Sequence, residues 1–255
     1  MALLELKSLS LQIAGKQLCN RLDLSIERNE CWGLLGKNGV GKTTLLHTIL
    51  GLQPAQEGEI LIDGQNTSLL NRQELARTMG ILFQQGIDEL PATVMETVML
   101  GRYPHLQTLI RDNPADREIA EEALDAFELG ALSNREITTL SGGERQRLAL
   151  ATLLTQAPDL FLLDEPSNHL DVAFQIKLLK ILTDKISSAS ASFLMASHDI
   201  NLTARFCDKI LLLIDGNNYL AGDSEEILNE ENLSRAYDCP IKSISQDGIQ
   251  LFYPQ

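Results

Sequence analysis

Two stretches of this chain set glycines, a hydroxyl and a cation at spacings suited to gripping an anion. Residues 31–50 read CWGLLGKNGVGKTTLLHTIL: an apolar run, a glycine-rich turn, and a periodic apolar segment that predicts a helix from near Lys42. Within it Gly36, Lys37, Asn38, Gly39, Val40, Gly41, Lys42 and Thr43 follow G-x-x-x-x-G-K-[ST], a phosphate loop in its strand–loop–helix setting. The glycines let consecutive amides bend inward around a β-phosphate, and Lys42 can neutralise the β- and γ-phosphates. The Thr43 hydroxyl can ligate Mg²⁺, and Thr44 is an extra phosphate donor. The second stretch, LSGGERQRLALA at 140–151, opens a predicted helix with Ser141, Gly142 and Gly143, whose uncovered amides lie at the positive helix end.

Hydrolysis needs a base and a metal partner as well as a cradle. PDLFLLDEPSNHLD at 158–171 is an apolar run ending in two acids, as a buried parallel strand does at the edge where such sheets bind ligands. Asp164 would hold the Mg²⁺ shell, usually through water, while Glu165 would orient and deprotonate the water for in-line phosphoryl transfer. A solvated strand end is the plainer alternative. The run SASFLMASHD ends in Ser197, His198 and Asp199, from where His198 could reach a γ-phosphate; His47, His105 and His169 read as structural. Gln84 in GILFQQG also follows an apolar strand and could touch the metal or the water, with Gln85 as its rival.

These groups need a sheet to hold them. LLELKSLSLQI, NRLDLSIER and GEILIDGQ alternate apolar and polar residues, as half-buried antiparallel strands do. DREIAEEALDAFEL puts Ile119, Ala123, Leu124 and Phe127 on one helical stripe. Two hairpins are expected near the C-terminus, turning at Gly216-Asn217 and at Asp247-Gly248. The 255 residues, 44% of them hydrophobic, suffice for one large domain or a domain with an insertion, and the net charge of −14 argues against a nucleic-acid coat. The longest apolar runs fall far short of the roughly 20 residues that span a bilayer, and the N-terminus lacks an export pattern, so a soluble chain is expected. Cys19, Cys31, Cys207 and Cys239 form no C-x-x-C pair and read as reduced structural thiols.

Taken in order, these motifs resemble the ATP-binding subunits of ABC transporters over nearly the whole chain. Residues 36–43 look like Walker A, Gln84 like the Q-loop, and 140–146 (LSGGERQ) like the family signature. Residues 160–164 resemble Walker B, Glu165 the catalytic glutamate, 167–171 the D-loop and His198 the switch histidine. The resemblance implies an α/β P-loop NTPase with a RecA-like core and mostly parallel sheet, a small antiparallel β-subdomain, and an inserted α-helical subdomain. Residues 1–86 and 156–255 would form the core and 87–155 the helical unit. It also implies a head-to-tail homodimer, in which Ser141, Gly142, Gly143 and Asp171 of one subunit face the ATP lying on Lys42 of the other. Most of the family stacks an aromatic on adenine where LSLQIAGK supplies Ile13, so apolar contact replaces the stack here.

TVMETVMLGRYPHL, SHDINLTARFCDKILLL and AYDCPIKSI resemble the iron-siderophore, haem and cobalamin importer branch. From the residues alone, Met95, Val98, Met99 and Leu100 could simply be core, with Arg102 and Tyr103 in an exposed loop. That branch implies ATP and Mg²⁺ as cofactors, and a place on the cytoplasmic face of the inner membrane. Its partners would be two permease subunits, docked beside Gln84, and an extracytoplasmic binding protein. An exporter or lipid-transport ATPase, or a soluble ABC ATPase outside transport, are the alternatives.

Overall fold

The computed structural model describes residues 2–83, 91–106, 113–168, 170–189, 191–246 and 249–255, with backbone alone at 186–189, 246 and 249. β1 (Leu4–Ile13) and β2 (Lys16–Ile26) pair antiparallel, and β3 (Cys31–Leu35) leads through the glycine-rich turn into α1 (Lys42–Ile49). β4 (Glu57–Ile62) and the short β5 (Gln65–Asn66) complete an antiparallel sheet of order β2-β1-β4-β5. α2 (Arg72–Thr78) precedes β6 (Met79–Leu82), and α3 (Val94–Met99), α4 (Pro114–Ala126) and α5 (Gly142–Gln156) follow. β7 (Leu160–Asp164), α6 (Val172–Ala189), β8 (Ser192–Ala196), α7 (Ile200–Phe206) and β9 (Lys209–Leu213) return to the centre. The chain then runs through β10 (Tyr219–Asp223), α8 (Ser224–Ile227), α9 (Glu230–Tyr237), β11 (Ile241–Gln246) and β12 (Ile249–Pro254).

The central sheet has the order β10-β9-β3-β8-β7-β6, parallel except for the edge strand β10. Its inner strands β3, β7, β8 and β9 are buried and almost wholly apolar because both faces are covered. Phe161, Leu163, Phe193, Met195, Ile210 and Leu212 point into one core with α4, α5 and α6, while Leu160, Leu162, Leu194, Ala196, Leu211 and Leu213 point into another with α1 and the antiparallel sheet. On β3 the same alternation meets glycine: a Cβ on Gly33 would lie 2.2 Å from Thr203 Cγ2, so its absence lets α7 close onto the strand. The expected hairpin around Gly216-Asn217 is present between β9 and β10. β11 and β12 pair up to Gln246 and Ile249, while Asp247 and Gly248 lie outside the described residues.

The helix that carries the expected stripe begins at Pro114, with Asn113 accepting a hydrogen bond from the Ala115 amide. Ala120, Ala123, Leu124 and Phe127 are buried on its inner stripe, and Ile119 is half-buried.

LGRYPH departs from the residue-level expectations at Leu100 and Arg102 but not at Tyr103, and in the helix before it Val98 is core with Met95 and Met99 packed against it. LGRYPH itself is a 3-10 helix, in which Leu100 is 52% exposed rather than core and Tyr103 is 61% exposed. Arg102, expected in an exposed loop, turns inward: its Nε donates to Asp116 Oδ1 at 2.8 Å and its Nη1 to the Thr155 carbonyl at 3.0 Å. With both side chains about nine-tenths buried, this fork ties α4 to the end of α5. Breaking one side of such a pair strands a buried charge, at about 3 kcal/mol. Arg102→Met should therefore lower the melting temperature by several degrees, and adding Asp116→Leu should recover most of the loss. A double variant no more stable than the single would refute this account.

Candidate functional site

The site is built where β3, β7 and β8 end. Beyond β3, Gly36 has φ 143°, and a Cβ there would meet the Leu213 carbonyl at 2.5 Å, so only glycine fits the turn. Gly39 and Gly41 also have positive φ. Gly41 begins α1 with no side-chain cap, and the amides of the first turn face the cleft uncovered. Lys42, 7% exposed, donates from Nζ to the Gly36 carbonyl at 2.7 Å. Burial lowers the affinity of its amine for a proton, against the pull of Glu165 and Asp164.

Opposite stand the two acids. Asp164 closes β7 at 1% exposure, and among the described residues its Oδ2 has no hydrogen-bond partner. Glu165 follows in left-handed backbone, φ 54°, its amide tied to the Ala196 carbonyl on β8 at 3.0 Å. That turn aims its carboxylate, 5% exposed, at His198 Nε2, 2.8 Å away. His198 lies two residues past β8, on a bend where Ser197 Oγ accepts from the Asp199 amide and Asp199 caps α7.

The Nδ1 of His198 lies 3.5 Å from Lys42 Nζ. Because the ammonium can only donate, the hydrogen-bond network assigns Nδ1 as the acceptor and places the ring proton on Nε2, where it is given to Glu165. Burial first, then the Lys42 charge, hold the imidazole below its usual pKa, so it is neutral near pH 7. The site is one connected series: Gly36 carbonyl, Lys42, His198, Glu165.

A cleft of about 440 Å³ joins these groups, lined by Asn38, Gly39, Gly41, Lys42, Thr43, Thr44, Glu165 and His198 with Ile13, Lys16 and Leu18. Ile13, 44% exposed, lines the cleft. Lys16, whose Nζ donates to the Gly39 carbonyl at 3.2 Å, was not legible as a site residue. The signal that could have found it is the tight turn at Ala14-Gly15, which pairs Ile13 across the hairpin with Lys16.

Other expected residues stand apart from the cleft. Ser141 caps α5: its Oγ accepts from the Glu144 amide at 3.3 Å while Glu144 Oε2 accepts from the Ser141 amide at 2.7 Å, a reciprocal capping box. Ser141 and Gly142 are exposed and Gly143 half-buried, and none of the three lines the cleft. Asp171 is exposed and caps α6 through the Phe174 amide. Gln146, buried, reaches from α5 to the Pro166 carbonyl at 3.3 Å, joining the α5 segment to the Glu165 turn. Gln84, its rival Gln85, and His169 lie outside the described residues. His105 is structural as expected, its Nε2 2.8 Å from the Gln156 carbonyl.

Burial, reinforced by Asp164 and opposed by Lys42, raises Glu165 from its ordinary 4.5 to about 7. The folded state thus holds a proton that the unfolded chain has released, and the associated stability is full below about 4.5 and lost as pH rises through about 7. Nucleotide-free Glu165→Gln should melt higher than the parent at about pH 8, by roughly 1–3 kcal/mol of stability, with the difference vanishing near pH 4. An equal difference at both pH values, followed by thermal unfolding, would contradict the assignment.

Comparison with known proteins places this geometry. The family model for ABC transporter matches residues 19–168. The petrobactin import ATP-binding protein FpuD of Bacillus anthracis is 33% identical, over 98% of this chain and 93% of its own. The hemin import ATP-binding protein HmuV of Pseudomonas fluorescens is 35% identical over 92% of each. Among solved structures, a metal-chelate type ABC transporter in an inward-facing conformation superposes with a TM-score of 0.84 at 28% identity, covering 100% of this chain and 97% of that one. With a phosphate loop, a buried acid pair and a histidine on one α/β sheet, a family match over residues 19–168 and end-to-end similarity to such relatives, the chain belongs to the ABC transporter family as an ATP-binding, ATP-hydrolysing subunit.

Proposed function

We propose that this subunit powers import of metal chelates of the siderophore, haem or cobalamin class, working as a head-to-tail dimer beneath a membrane permease. The observation that carries the catalytic part is the connected series from Gly36 through Lys42 and His198 to Glu165 on one cleft. The importer part rests on end-to-end similarity to import ATP-binding proteins. A single soluble cassette acting on nucleic acid is disfavoured by the charge of −14. The permease would dock beside Gln84 and receive an extracytoplasmic binding protein on its other face, leaving this subunit on the cytoplasmic side.

The residues present fit a Mg²⁺ ion: the unpartnered, buried Asp164 Oδ2 and the Thr43 hydroxyl are hard oxygen donors, and Gln84 would add a third. When bound with ATP, the ion neutralises phosphate charge. In this reading the amides of residues 36–43 cradle the phosphates, Lys42 leaves the Gly36 carbonyl for the γ-phosphate, and Glu165 takes the proton of the attacking water. His198 holds the Glu165 carboxylate in place through its Nε2 proton and lies close enough to Lys42 to meet the same phosphate. Ile13 covers the base.

The signature loop completes the partner's site. The Ser141 oxygen already accepts from Glu144, which leaves its own O–H free to donate, beside the uncovered amides of Gly142 and Gly143. Those donors face a partner's γ-phosphate, with Asp171 alongside. Closure excludes water and strengthens every such contact, and loss of the γ-phosphate removes the reason to stay closed.

Glu165→Gln should bind MgATP, hydrolyse it at least about a hundredfold more slowly, and run as a dimer in size-exclusion chromatography with light scattering. Adding Ser141→Arg should return it to a monomer. A Glu165→Gln chain that stays monomeric at saturating MgATP would count against the shared site. For the transport role, the tagged chain should co-purify from gently solubilised native membranes with a stoichiometric multi-span permease of the metal-chelate importer type. Recovery with an exporter, or with soluble partners only, would overturn that role and leave the ATPase chemistry standing.

A further inference from the structure

The end of α9 lies against the phosphate loop, although it is some two hundred residues away in sequence. Tyr237 is the last residue of α9, and Asp238 follows in left-handed backbone, φ 55°. Two consecutive residues there meet two consecutive residues of the loop. The Asp238 carboxylate pairs with Lys37 Nζ. The Tyr237 phenol oxygen is closed off from solvent and completes no hydrogen bond among the described residues; the Asp238–Lys37 pair brings it beside the loop, where the Gly36 backbone amide and the Glu165 carboxylate are the polar groups that influence it.

A buried hydroxyl left without a partner is uncommon in a native fold and calls for a reason. Gly36 is the residue whose carbonyl holds the resting Lys42 at 2.7 Å. The Gly36 amide and carbonyl belong to adjoining peptide units joined at that one α-carbon, so fixing the amide restrains the carbonyl from which Lys42 reaches the phosphates.

The segment carrying Tyr237 is itself well anchored. Ser234 Oγ accepts from the Ile241 amide at 2.8 Å and Glu230 Oε1 from the Ser243 amide at 2.8 Å, tying α9 to the β11–β12 hairpin. Asn201 exchanges two hydrogen bonds with the Phe252 backbone, tying that hairpin to α7, just behind His198. The C-terminal segment thus braces the site from both sides.

We propose that Tyr237 is a positioning residue for the phosphate loop: its phenol oxygen accepts from the Gly36 amide once nucleotide draws the loop inward, with the Asp238–Lys37 pair holding the α9 turn in register. Burial keeps the phenol protonated, at about 12. The proposal assumes only the ATP-hydrolysing role.

Tyr237→Phe keeps the ring and removes the oxygen. We expect its KM for MgATP and Kd for MgADP to rise about five- to tenfold, kcat to fall by less, and the melting temperature to match the parent. Asp238→Asn should raise KM about two- to threefold, Asp238→Glu should restore it, and the Asn effect should disappear in a Lys37→Gln background. Unchanged nucleotide affinity in Tyr237→Phe would overturn the proposal, as would a lowered melting temperature with KM and kcat impaired alike. Full additivity of Asp238→Asn with Lys37→Gln would overturn the clamp.

Discussion

Lys42 is a cation taken almost wholly out of water, and much of the surrounding architecture reduces the cost of keeping it there. An isolated buried ammonium would shed its proton or unfold the site. Here a carbonyl accepts from it, an imidazole nitrogen lies near it, and two carboxylates supply opposite charge. Each comes from a different strand end: Gly36 from β3, Asp164 and Glu165 from β7, His198 from β8. The parallel order β3-β8-β7 is what brings them within reach of one another. The charge that will grip phosphate is thus installed before phosphate arrives, so binding replaces existing partners rather than organising loose ones.

That arrangement also explains the two-sided sheet. Strand ends keep a fixed relation only if the strands cannot slip or tilt, and the strict alternation of residues between two cores locks both. Gly33 belongs to the same logic, since α7 must approach β3 closely for the bend at Ser197 to present His198 towards Lys42.

Much of this was legible from sequence because its signals are local. A phosphate loop, apolar strands ending in acids or histidine, and alternating β-segments declare themselves within a dozen residues. What was missed depends on distant partners. Arg102 read as exposed because nothing in GRYP announces Asp116 and the Thr155 carbonyl, which only the packing of α4 against α5 brings to it. Lys16 was overlooked because its place follows from hairpin pairing rather than from any motif. The start of α4, by contrast, carries a local signal in Asn113-Pro114.

The backbone of Glu165 carries one more consequence. An L-residue with a long side chain in the left-handed region costs roughly 1 kcal/mol, and glycine or asparagine would relieve it; the buried carboxylate adds its own destabilisation. Position 165 is therefore one where drift towards sturdier folding and retention of turnover pull in opposite directions. A population of variants screened for heat tolerance alone would accumulate well-folded, nucleotide-binding, silent proteins there, so the glutamate persists only while turnover itself is under selection.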